Sequence, residues 1–477
     1  MKLTAHQETV FNKIKAFVND PEKRVFVLKG YAGTGKTTLA RFIVEWLDNS
    51  QNGWRAMLLA STGRAARILS TKTGWETDTV HGHIYRFDVL EEEGAPYAEE
   101  ETGQLTLVFG LKTSTATGKV LYIVDEASMI SHLPSAGFHV AKFGSGVLLD
   151  DLFEFAGGEN KILFIGDPAQ LPPVVEKGAF SPALFAEFLQ KRYGVVAEEA
   201  ELTEVLRQKE GHAILELATG IRNCLMRKEF GDWEALMRYE GQGIFWPFTQ
   251  QIMIKRYLER VRHGYDKAVI LTHSNKQAYY LNITMRKILQ GGYKPFPEVG
   301  EMLLVTQNSY YVPLANGDQV ILRSVEKGGI RKGIKFLKVT VEAVHNGEVY
   351  ETLMIQDFLF NEAPNLSPDD SRKLLIDFDQ RARKAGLKRN SEPYQDAMRQ
   401  DPFLNALRAK FGYAVTCHKA QGGEWPHCFI NLSDTLNMLD PETRYRWLYT
   451  AVSRAQQFLD IKPVYKGNVP RRQRSRW

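Results

Sequence analysis

The most constraining stretch of the sequence is RVFVLKGYAGTGKTT, residues 24–38. Residues 24–29 form an apolar, β-branched run that predicts a strand, and residues 38–47 repeat with the period of a helix. Four residues between them have the spacing of a phosphate-binding loop: Gly30, Gly35, Lys36 and Thr37. Glycines allow backbone N–H groups to turn toward phosphate oxygens, and the helix presents its positive end to the same anion. We therefore predict a nucleotide site in which Lys36 contacts the β- and γ-phosphates and Thr37 is a ligand of Mg²⁺.

Length and composition narrow the class of protein. At 477 residues the chain is longer than one hydrophobic core usually supports, so we expect at least two domains. The net charge of +5 is compatible with nucleic-acid binding but does not require it. Three scattered cysteines, and the lack of a leader-like start or an apolar stretch of membrane-spanning length, predict a soluble, cytoplasmic protein that is not secreted.

The chain continues with an alternation of strands and helices. Buried strands are predicted at residues 55–60, 119–125 and 161–165, which favours a parallel, doubly wound α/β sheet. The strand at 119–125 delivers Asp125 and Glu126 to the edge of the sheet where such folds place their chemistry. An isolated Asp-Glu pair is usually just solvated. Here Asp125 is a candidate ligand of Mg²⁺, and Glu126 a candidate base that orients water toward the γ-phosphate.

A second α/β set begins at residue 267 and has no phosphate loop of its own. The nucleotide is therefore expected between two domains. Arg454, which we place on a helix over residues 446–457, is a candidate arginine finger for the γ-phosphate. Two insertions interrupt the pattern: a hairpin over residues 86–118, and short strands over residues 316–360 that predict a small β-barrel.

Several candidate residues also have an ordinary structural explanation. Gln7 stands three residues after Thr4, the spacing of a helix capping box, so a role as cap partner is the simpler explanation. Residues 61–67 fit either a close backbone contact with a ligand or an N-capped helix. Arg207 alone is a surface charge, and the basic residues of 371–390 fit a solvated helix face better than a phosphate-binding face.

Nine segments occur in an order that resembles the superfamily 1B DNA helicases, the RecD/Dda-like group: Gln7, GYAGTGKTT, STGRAA, TVHG, VDEAS, GDPAQLPPV, LTEVLRQ, TCHKAQGGEW and YTAVSRA. The resemblance implies an α/β, P-loop NTPase fold of two RecA-like parallel-sheet domains with a small hairpin insertion and a small SH3-like β-barrel insertion. It implies five regions: domain 1A at 1–85 and 119–205, a strand-separating pin (1B) at 86–118, domain 2A at 206–316 and 411–465, the barrel with a helical insertion (2B) at 317–410, and a basic tail at 466–477.

The resemblance also implies roles for individual residues. Those implied in catalysis are Lys36, Asp125, Glu126, Gln170, Arg207 and Arg454, with Gln170 and Arg207 sensing the γ-phosphate. Those implied in nucleotide binding are Gln7 at the adenine, Gly33, Thr34, Gly35, Lys36, Thr37 and Thr38 in the loop, and Gln421 and Glu424, which link the nucleotide to the DNA-binding part. Thr37 and Asp125 are the implied metal ligands. Those implied toward single-stranded DNA are Thr62, Gly63, His81, Thr272, Asn275, Thr416 and His418, and Phe109 is our candidate for the wedge of the pin.

By the same resemblance we expect an ATP-dependent DNA helicase that uses ATP and Mg²⁺, moves 5′ to 3′ on single-stranded DNA and separates duplexes at single-strand/duplex junctions. We expect a bacterial or phage-like protein that acts as a monomer. The alternatives are a nucleic-acid-stimulated ATPase or translocase, and an ATP-switched single-stranded-DNA-binding protein without processive unwinding. A switch needs neither a base such as Glu126 nor a finger such as Arg454 to bind ATP, so these residues favour an enzyme.

Overall fold

The computed structural model describes residues 2–50, 53–93, 104–113, 118–134, 141–174, 180–204, 213–231, 239, 243–247, 249–262 and 264–463. Arg207 and the basic tail lie outside these ranges. No helix within them is long and apolar enough to span a bilayer.

The strands, in chain order, are β1 (Lys23–Gly30), β2 (Trp54–Ala60), β3 (Thr77–Thr79), β4 (Tyr85–Glu93), β5 (Gln104–Leu111), β6 (Lys119–Asp125), β7 (Ala141–Phe143), β8 (Lys161–Gly166), β9 (Val196–Leu202), β10 (Ile244–Phe245), β11 (Ala268–Thr272), β12 (Met302–Val305), β13 (Gln319–Arg331), β14 (Ile334–Ala343), β15 (Val349–Ile355), β16 (Ala409–Phe411), β17 (Ala414–Thr416), β18 (Trp425–Asn431) and β19 (Ala455–Lys462). The α-helices are α1 (Ala5–Asn19), α2 (Lys36–Asn49), α3 (Gly63–Thr73), α4 (Val80–Ile84), α5 (Leu148–Ala156), α6 (Ala186–Tyr193), α7 (Ala213–Arg227), α8 (Gln250–Val261), α9 (Asn275–Leu289), α10 (Gln356–Leu359), α11 (Pro368–Lys384), α12 (Glu392–Gln400), α13 (Asp434–Asn437) and α14 (Pro441–Val452).

Two parallel sheets organise the molecule. The first, in residues 2–204 (the N-terminal half), has the order β3-β2-β6-β8-β1-β9, and every pairing in it is parallel. The second, in residues 213–463 (the C-terminal half), has the order β10-β19-β18-β11-β17 and is likewise parallel. Strands β1, β6 and β8 are continuous apolar runs because helices cover both faces of the sheet. The predicted fold class, with parallel sheets in two α/β units, is confirmed.

A five-stranded barrel is inserted into the C-terminal half; its strand pairings are antiparallel, and its edges meet at one isolated parallel bridge between Met354 and Leu407. Its order is β15-β14-β13-β12-β16, and the edges meet where the Leu407 N–H donates to the Leu353 carbonyl at 2.6 Å and the Ile355 N–H to the Leu407 carbonyl at 3.1 Å. The barrel therefore begins at β12, ahead of the expected start at residue 317.

The expectation of short barrel strands is wrong for β13 and β14, which have 13 and 10 residues. Gly328-Gly329, a dipeptide typical of turns, is instead a bulge inside β13, where the register shifts between Lys327 and Gly329. The chain turns instead at Lys332-Gly333, whose φ angles of 47° and 79° suit a tight two-residue hairpin turn.

The predicted hairpin is formed by β4 and β5 in antiparallel pairing, and β7 adds a third strand parallel to β5. Its tip lies outside the described residues. The wedge hypothesis for Phe109 is wrong, because this ring is buried and stacks on Phe143 with centroids 4.6 Å apart. Phe109 is part of the hairpin's own core, and it lines the large cavity below the hairpin rather than projecting from it as a wedge.

Residues 371–390, expected as a solvated basic helix face, lie behind the hairpin, and most of their cations are paired within the protein. Five of the seven basic side chains pair with aspartates: Arg372, Lys373, Arg381, Arg383 and Arg389. Apolar residues of α11 and α12, including Phe378 and Tyr394, share one buried cluster with Phe87 and Phe109 of the hairpin. These helices therefore support the hairpin from the C-terminal half.

Candidate functional site

The phosphate loop has the backbone that its glycines predict. Gly33 and Gly35 have φ angles of 79° and 82°, a left-handed conformation that a side chain disfavours. A Cβ on Gly30 would lie 2.8 Å from the Thr34 hydroxyl, so this position also requires glycine. The Lys36 ammonium donates to the carbonyls of Gly30 at 2.6 Å and Tyr31 at 3.0 Å. The loop thus presents its amides and a cation at the start of α2.

This loop opens into a cavity of about 640 Å³, the nucleotide cavity, which both halves line. The predicted residues that line it from the N-terminal half are Gln7, Gly33, Thr34, Gly35, Lys36, Thr37, Thr38, Asp125, Glu126 and Gln170. From the C-terminal half the cavity receives Gly422, Glu424, Ser453 and Arg454. Nearly all of the predicted nucleotide and catalytic residues therefore converge.

Gln7 is a cap partner and also lines the nucleotide cavity, while its role at the adenine stays a prediction. Its amide oxygen accepts from the Thr4 N–H at 3.2 Å within the capping box of α1. Its amide nitrogen donates to the Thr34 carbonyl at 3.2 Å. The capping box thus fixes Gln7 against the phosphate loop, where the side chain lines the nucleotide cavity.

Asp125 and Glu126 lie at the carboxyl edge of the sheet as predicted. The Glu126 N–H donates to Asp125 Oδ1 at 2.9 Å, and Glu126 has a φ of 51°, in the left-handed region. Its Oε2 atom is buried without a hydrogen-bond partner in the described part of the chain. Desolvation, and then repulsion from the Asp125 carboxylate, raise the pKa of Glu126, while Arg454 and Lys36 act in the opposite direction. Desolvation also raises the pKa of Asp125.

The residues present fit a divalent cation and a nucleotide. Thr37 and Asp125 give one hydroxyl and one carboxylate at the same cavity, which suits Mg²⁺ held partly by phosphate oxygens. No group of three or more potential metal ligands occurs among the described residues, so an all-protein metal cage is not present there.

Arg454 reaches the cavity from a different element than predicted. Helix α14 ends at Val452, and Arg454 lies in the turn before β19, so the expected helix over 446–457 is wrong beyond residue 452. The reason is that the Arg454 carbonyl accepts from the Trp425 N–H at 2.9 Å, which starts the pairing of β19 with β18. The guanidinium donates to the carbonyls of Thr450 at 3.0 Å and Gly423 at 3.2 Å.

Two further predicted residues lie where the halves meet. The Gln421 side chain is buried outside the nucleotide cavity and donates to the Leu171 carbonyl, next to Gln170, at 3.0 Å. Glu424 accepts from Lys72 of α3 at 3.5 Å. Both side chains therefore bridge the halves, and Glu424 also lines the cavity.

A second cavity, of about 740 Å³, runs across both halves and is called here the basic groove. Its charged lining residues are all cationic among those described, with no Asp or Glu: Arg64, Arg86, Lys112, Arg399, Arg408 and Lys419. Aromatic residues line it as well, among them Tyr85 and Tyr310. Cations with interleaved rings are the surface that single-stranded nucleic acid uses for phosphate contact and base stacking.

Four of the seven residues predicted toward DNA line the basic groove: Thr62, Gly63, His81 and His418. Thr62 is also the N-cap of α3, accepting from the Ala65 N–H at 3.2 Å, so the segment is a capped helix that faces the groove. Desolvation and repulsion from His273 lower the pKa of His418 to about 4, so it is neutral at pH 7.

The other three lie beside the groove or behind it. Asn275 and Thr416 line a smaller cavity that shares Lys419 with the basic groove. Thr272 is fully buried, and its hydroxyl donates to the carbonyls of Ser274 and Val415, so the prediction that it lies toward DNA is wrong for its side chain.

Sequence reasoning missed several groove residues. Lys419 is adjacent to His418 in TCHKAQG and could have been included on that ground. Arg408 precedes the last barrel strand in a segment without a recognisable pattern, and only the fold brings it to the groove. Arg207 lies outside the described residues, so its predicted role stays a prediction.

Two family models match the chain. One described as an AAA domain matches residues 2–244, a little over half of the chain, and one described as a UvrD-like helicase C-terminal domain matches residues 411–459. The first spans the strands of the N-terminal sheet, and the second spans β17, β18 and the Arg454 turn.

Similar proteins cover the chain more fully. It is 26% identical over 474 residues to the ATP-dependent DNA helicase dda of Enterobacteria phage T4, which covers 95% of this chain and 98% of that protein. It is 29% identical over 204 residues to the ATP-dependent RecD2 DNA helicase of Deinococcus radiodurans, covering 42% of this chain and 22% of that protein. A crystal structure of Pif1 helicase from Bacteroides with ADP-AlF3 and ssDNA superposes with a TM-score of 0.51 at 18% identity, covering 96% and 92% of the two chains. At that identity the likeness establishes the fold alone. With the AAA-domain match, these relatives and the convergence of both halves on one nucleotide cavity, the chain belongs to the superfamily 1B helicases of the RecD/Dda-like group.

Proposed function

We propose that the chain is an ATP-dependent DNA helicase that translocates 5′ to 3′ on single-stranded DNA and separates duplex DNA. The observation that carries this proposal is the nucleotide cavity shared by the halves, with Lys36 and Glu126 on one side and Arg454 on the other. One copy of the chain supplies both sides, which supports action as a monomer. The relative from phage T4 is named an ATP-dependent DNA helicase, which supports the same activity here.

Hydrolysis of ATP follows from the positions of these groups. Glu126 would orient a water for attack on the γ-phosphorus, and the bond between that phosphorus and the oxygen that bridges it to the β-phosphate would break. Lys36 and Arg454 stabilise the negative charge that develops on the phosphoryl oxygens. Mg²⁺, held by Thr37 and Asp125, would neutralise charge on the β- and γ-phosphates.

Translocation requires that ATP binding and hydrolysis change how the protein contacts the nucleic acid. The basic groove is lined by both halves, with Thr62 and His81 from one and His418 and Lys419 from the other. Arg64 lines this groove and lies with its guanidinium carbon 4.1 Å from the centre of the Trp425 ring, next to the Gly422–Glu424 wall of the nucleotide cavity. Closure of the halves on ATP would therefore move the two walls of the groove relative to each other.

The decisive experiment compares 5′-tailed, 3′-tailed, forked and blunt duplexes with the full-length protein and ATP. We expect the 5′-tailed and forked substrates to be separated, and the 3′-tailed and blunt ones to remain paired. ATP turnover should rise with single-stranded DNA and should be measured with single-stranded RNA in parallel.

Three results would contradict the proposal in different ways. Separation of only the 3′-tailed substrate would reverse the polarity. DNA-stimulated turnover without separation of any substrate would make the protein a translocase. Turnover indifferent to every nucleic acid would remove the helicase assignment.

A further inference from the structure

One tyrosine hydroxyl crosses the contact between the two halves at the nucleotide site. Tyr449, on α14 of the C-terminal half, accepts a hydrogen bond from the Ala32 N–H of the phosphate loop at 3.0 Å. The same hydroxyl donates to Asp167 Oδ2 at 2.8 Å. Tyr449 is 1% exposed and Asp167 is fully buried, so bulk water does not replace either bond.

Asp167 connects the tyrosine to Gln170. Its Oδ1 accepts from the Ala169 N–H at 3.0 Å, and its Oδ2 accepts from the Gln170 amide nitrogen at 3.4 Å. One carboxylate oxygen therefore receives both the Tyr449 hydroxyl and the side chain predicted to sense the γ-phosphate. The Gln170 amide oxygen has no hydrogen-bond partner in the described part of the chain, and the residue lines the nucleotide cavity.

The last turn of α14 connects the tyrosine to the arginine finger. Thr450, the next residue, accepts from the Leu171 N–H through its hydroxyl at 2.9 Å. Its carbonyl accepts from the Arg454 guanidinium at 3.0 Å. Burial and the charge of Asp167 hold the pKa of Tyr449 well above its usual range, so the phenol keeps its proton and remains a donor.

We propose that Tyr449 is a positioning residue for ATP hydrolysis: its hydroxyl sets the phosphate loop, the Gln170 side chain and the Arg454 turn at the separation that hydrolysis requires. The inference rests on the proposed function, since it concerns the same reaction. It predicts an effect on kcat rather than on nucleotide affinity, because the Ala32 N–H is engaged by Tyr449 and not by a phosphate, and Asp167 does not line the nucleotide cavity.

The chain provides a matched control on the same helix. Tyr445 lies one turn before Tyr449, is 4% exposed, and also makes two hydroxyl hydrogen bonds, from the Gly231 N–H at 2.8 Å and to the Gly231 carbonyl at 2.9 Å. Both of these bonds are with Gly231, inside the C-terminal half. Tyr445→Phe therefore also removes a hydroxyl that makes two hydrogen bonds, and it leaves the bonds of Tyr449 to Ala32 and Asp167 in place.

The test measures steady-state ATP turnover of wild type, Tyr449→Phe and Tyr445→Phe with saturating single-stranded DNA, together with thermal midpoints. For Tyr449→Phe we expect kcat to fall about tenfold, with KM for ATP within about twofold of wild type. Tyr445→Phe should lose a similar amount of thermal stability and keep its kcat. Equal kcat for the two variants, or a loss confined to KM, would overturn the inference. A wild type without DNA-stimulated turnover would instead overturn the proposed function.

A second variant tests the connection through Asp167. If the O–H···O bond is the path to Gln170, the kcat losses of Asp167→Asn and Tyr449→Phe should combine in the double variant to less than their product, because both substitutions affect this one bond. If the fold-losses in kcat of the two single variants multiply in the double variant, the substitutions act independently, and this path is overturned.

Discussion

Glu126 combines two unfavourable features at one residue. Its backbone φ of 51° is uncommon for a residue with a Cβ, and one of its carboxylate oxygens is buried without a partner among the described residues. Each feature costs on the order of 1 kcal/mol or more, and such costs concentrate at functional sites. A residue placed to orient a water molecule needs a lone pair that the protein leaves free. The strain is therefore consistent with a base rather than with a structural turn.

Glu126→Gln should stop turnover and stabilise the fold. We expect kcat for ATP to fall at least about 100-fold, because the amide cannot act as the base. The raised pKa means that the ionised carboxylate is less stable in the folded than in the unfolded chain. The penalty is present above the folded pKa and is relieved as pH falls through it. The melting temperature of the variant should therefore exceed that of wild type at pH 8, with a smaller difference at pH 5.

Glu154→Gln, at an exposed position on α5, is the control, and it should leave turnover unchanged. Full turnover in Glu126→Gln would remove the assigned base. A lower melting temperature at pH 8 would show that the ionised side chain is stabilised by contacts that its position does not reveal.

At the scale of elements, the hairpin is attached to the C-terminal half by Asn390. The Asn390 side chain accepts from the Leu90 N–H at 2.8 Å and donates to the Leu90 carbonyl at 3.4 Å. These are the two backbone groups that a neighbouring strand would otherwise bind. Asn390 has a φ of 64°, which asparagine tolerates better than alanine does. The helices behind the hairpin thus fix β4 through both a shared core and a side-chain clamp.

Asn390→Ala and Asn390→Gly separate the clamp from the backbone strain. Both remove two hydrogen bonds of about 1 kcal/mol each, so both should unwind forked duplexes several-fold more slowly while DNA-stimulated turnover is retained. A positive φ is unfavourable for alanine but not for glycine, so Asn390→Gly should melt at a higher temperature than Asn390→Ala. Unchanged unwinding in both variants would show that the clamp does not support strand separation.

At the scale of the whole molecule, the net charge is small but the positive charge is concentrated in the basic groove. The chain carries only +5 overall, yet six cationic residues and no described carboxylate line the basic groove. Burial lowers the pKa of Arg408 to about 10, which leaves it charged at pH 8, and it donates to Gln307. Charge concentrated in a groove focuses the field where a nucleic-acid backbone would lie.

The affinity for single-stranded DNA should therefore fall steeply with salt. Each phosphate contact contributes about 0.7 to the slope of log K against log salt concentration, so Arg408→Ala should make that slope about 0.7 shallower. Lys373→Ala is the control, since Lys373 is half-exposed on α11 and pairs with Asp370 at 2.8 Å. Fluorescence anisotropy between low and physiological salt measures both. An unchanged slope for Arg408→Ala would place the DNA elsewhere.

The local sequence determined much of this protein. The strand, glycine loop and helix over residues 24–38, the central parallel strands and the carboxylates at Asp125 and Glu126 follow from apolar runs and backbone requirements that act over a few residues. Even the capping box of α1 could be predicted from two residues. The motif identified Arg454, but the helical periodicity of the sequence predicted a helix that is too long. The helix α14 ends at Val452 because the chain then pairs with β18 as strand β19.

Only the tertiary structure decided which distant residues meet. The Tyr449 hydroxyl contacts an amide 417 residues away, the barrel closes through Leu407, and Arg408 joins a groove with Arg64. None of these contacts has a periodic or local signal, because each depends on how complete elements pack against one another. The sequence therefore specifies the chemistry of the nucleotide site, whereas the packing of the two halves determines how that chemistry is positioned and where the basic groove lies.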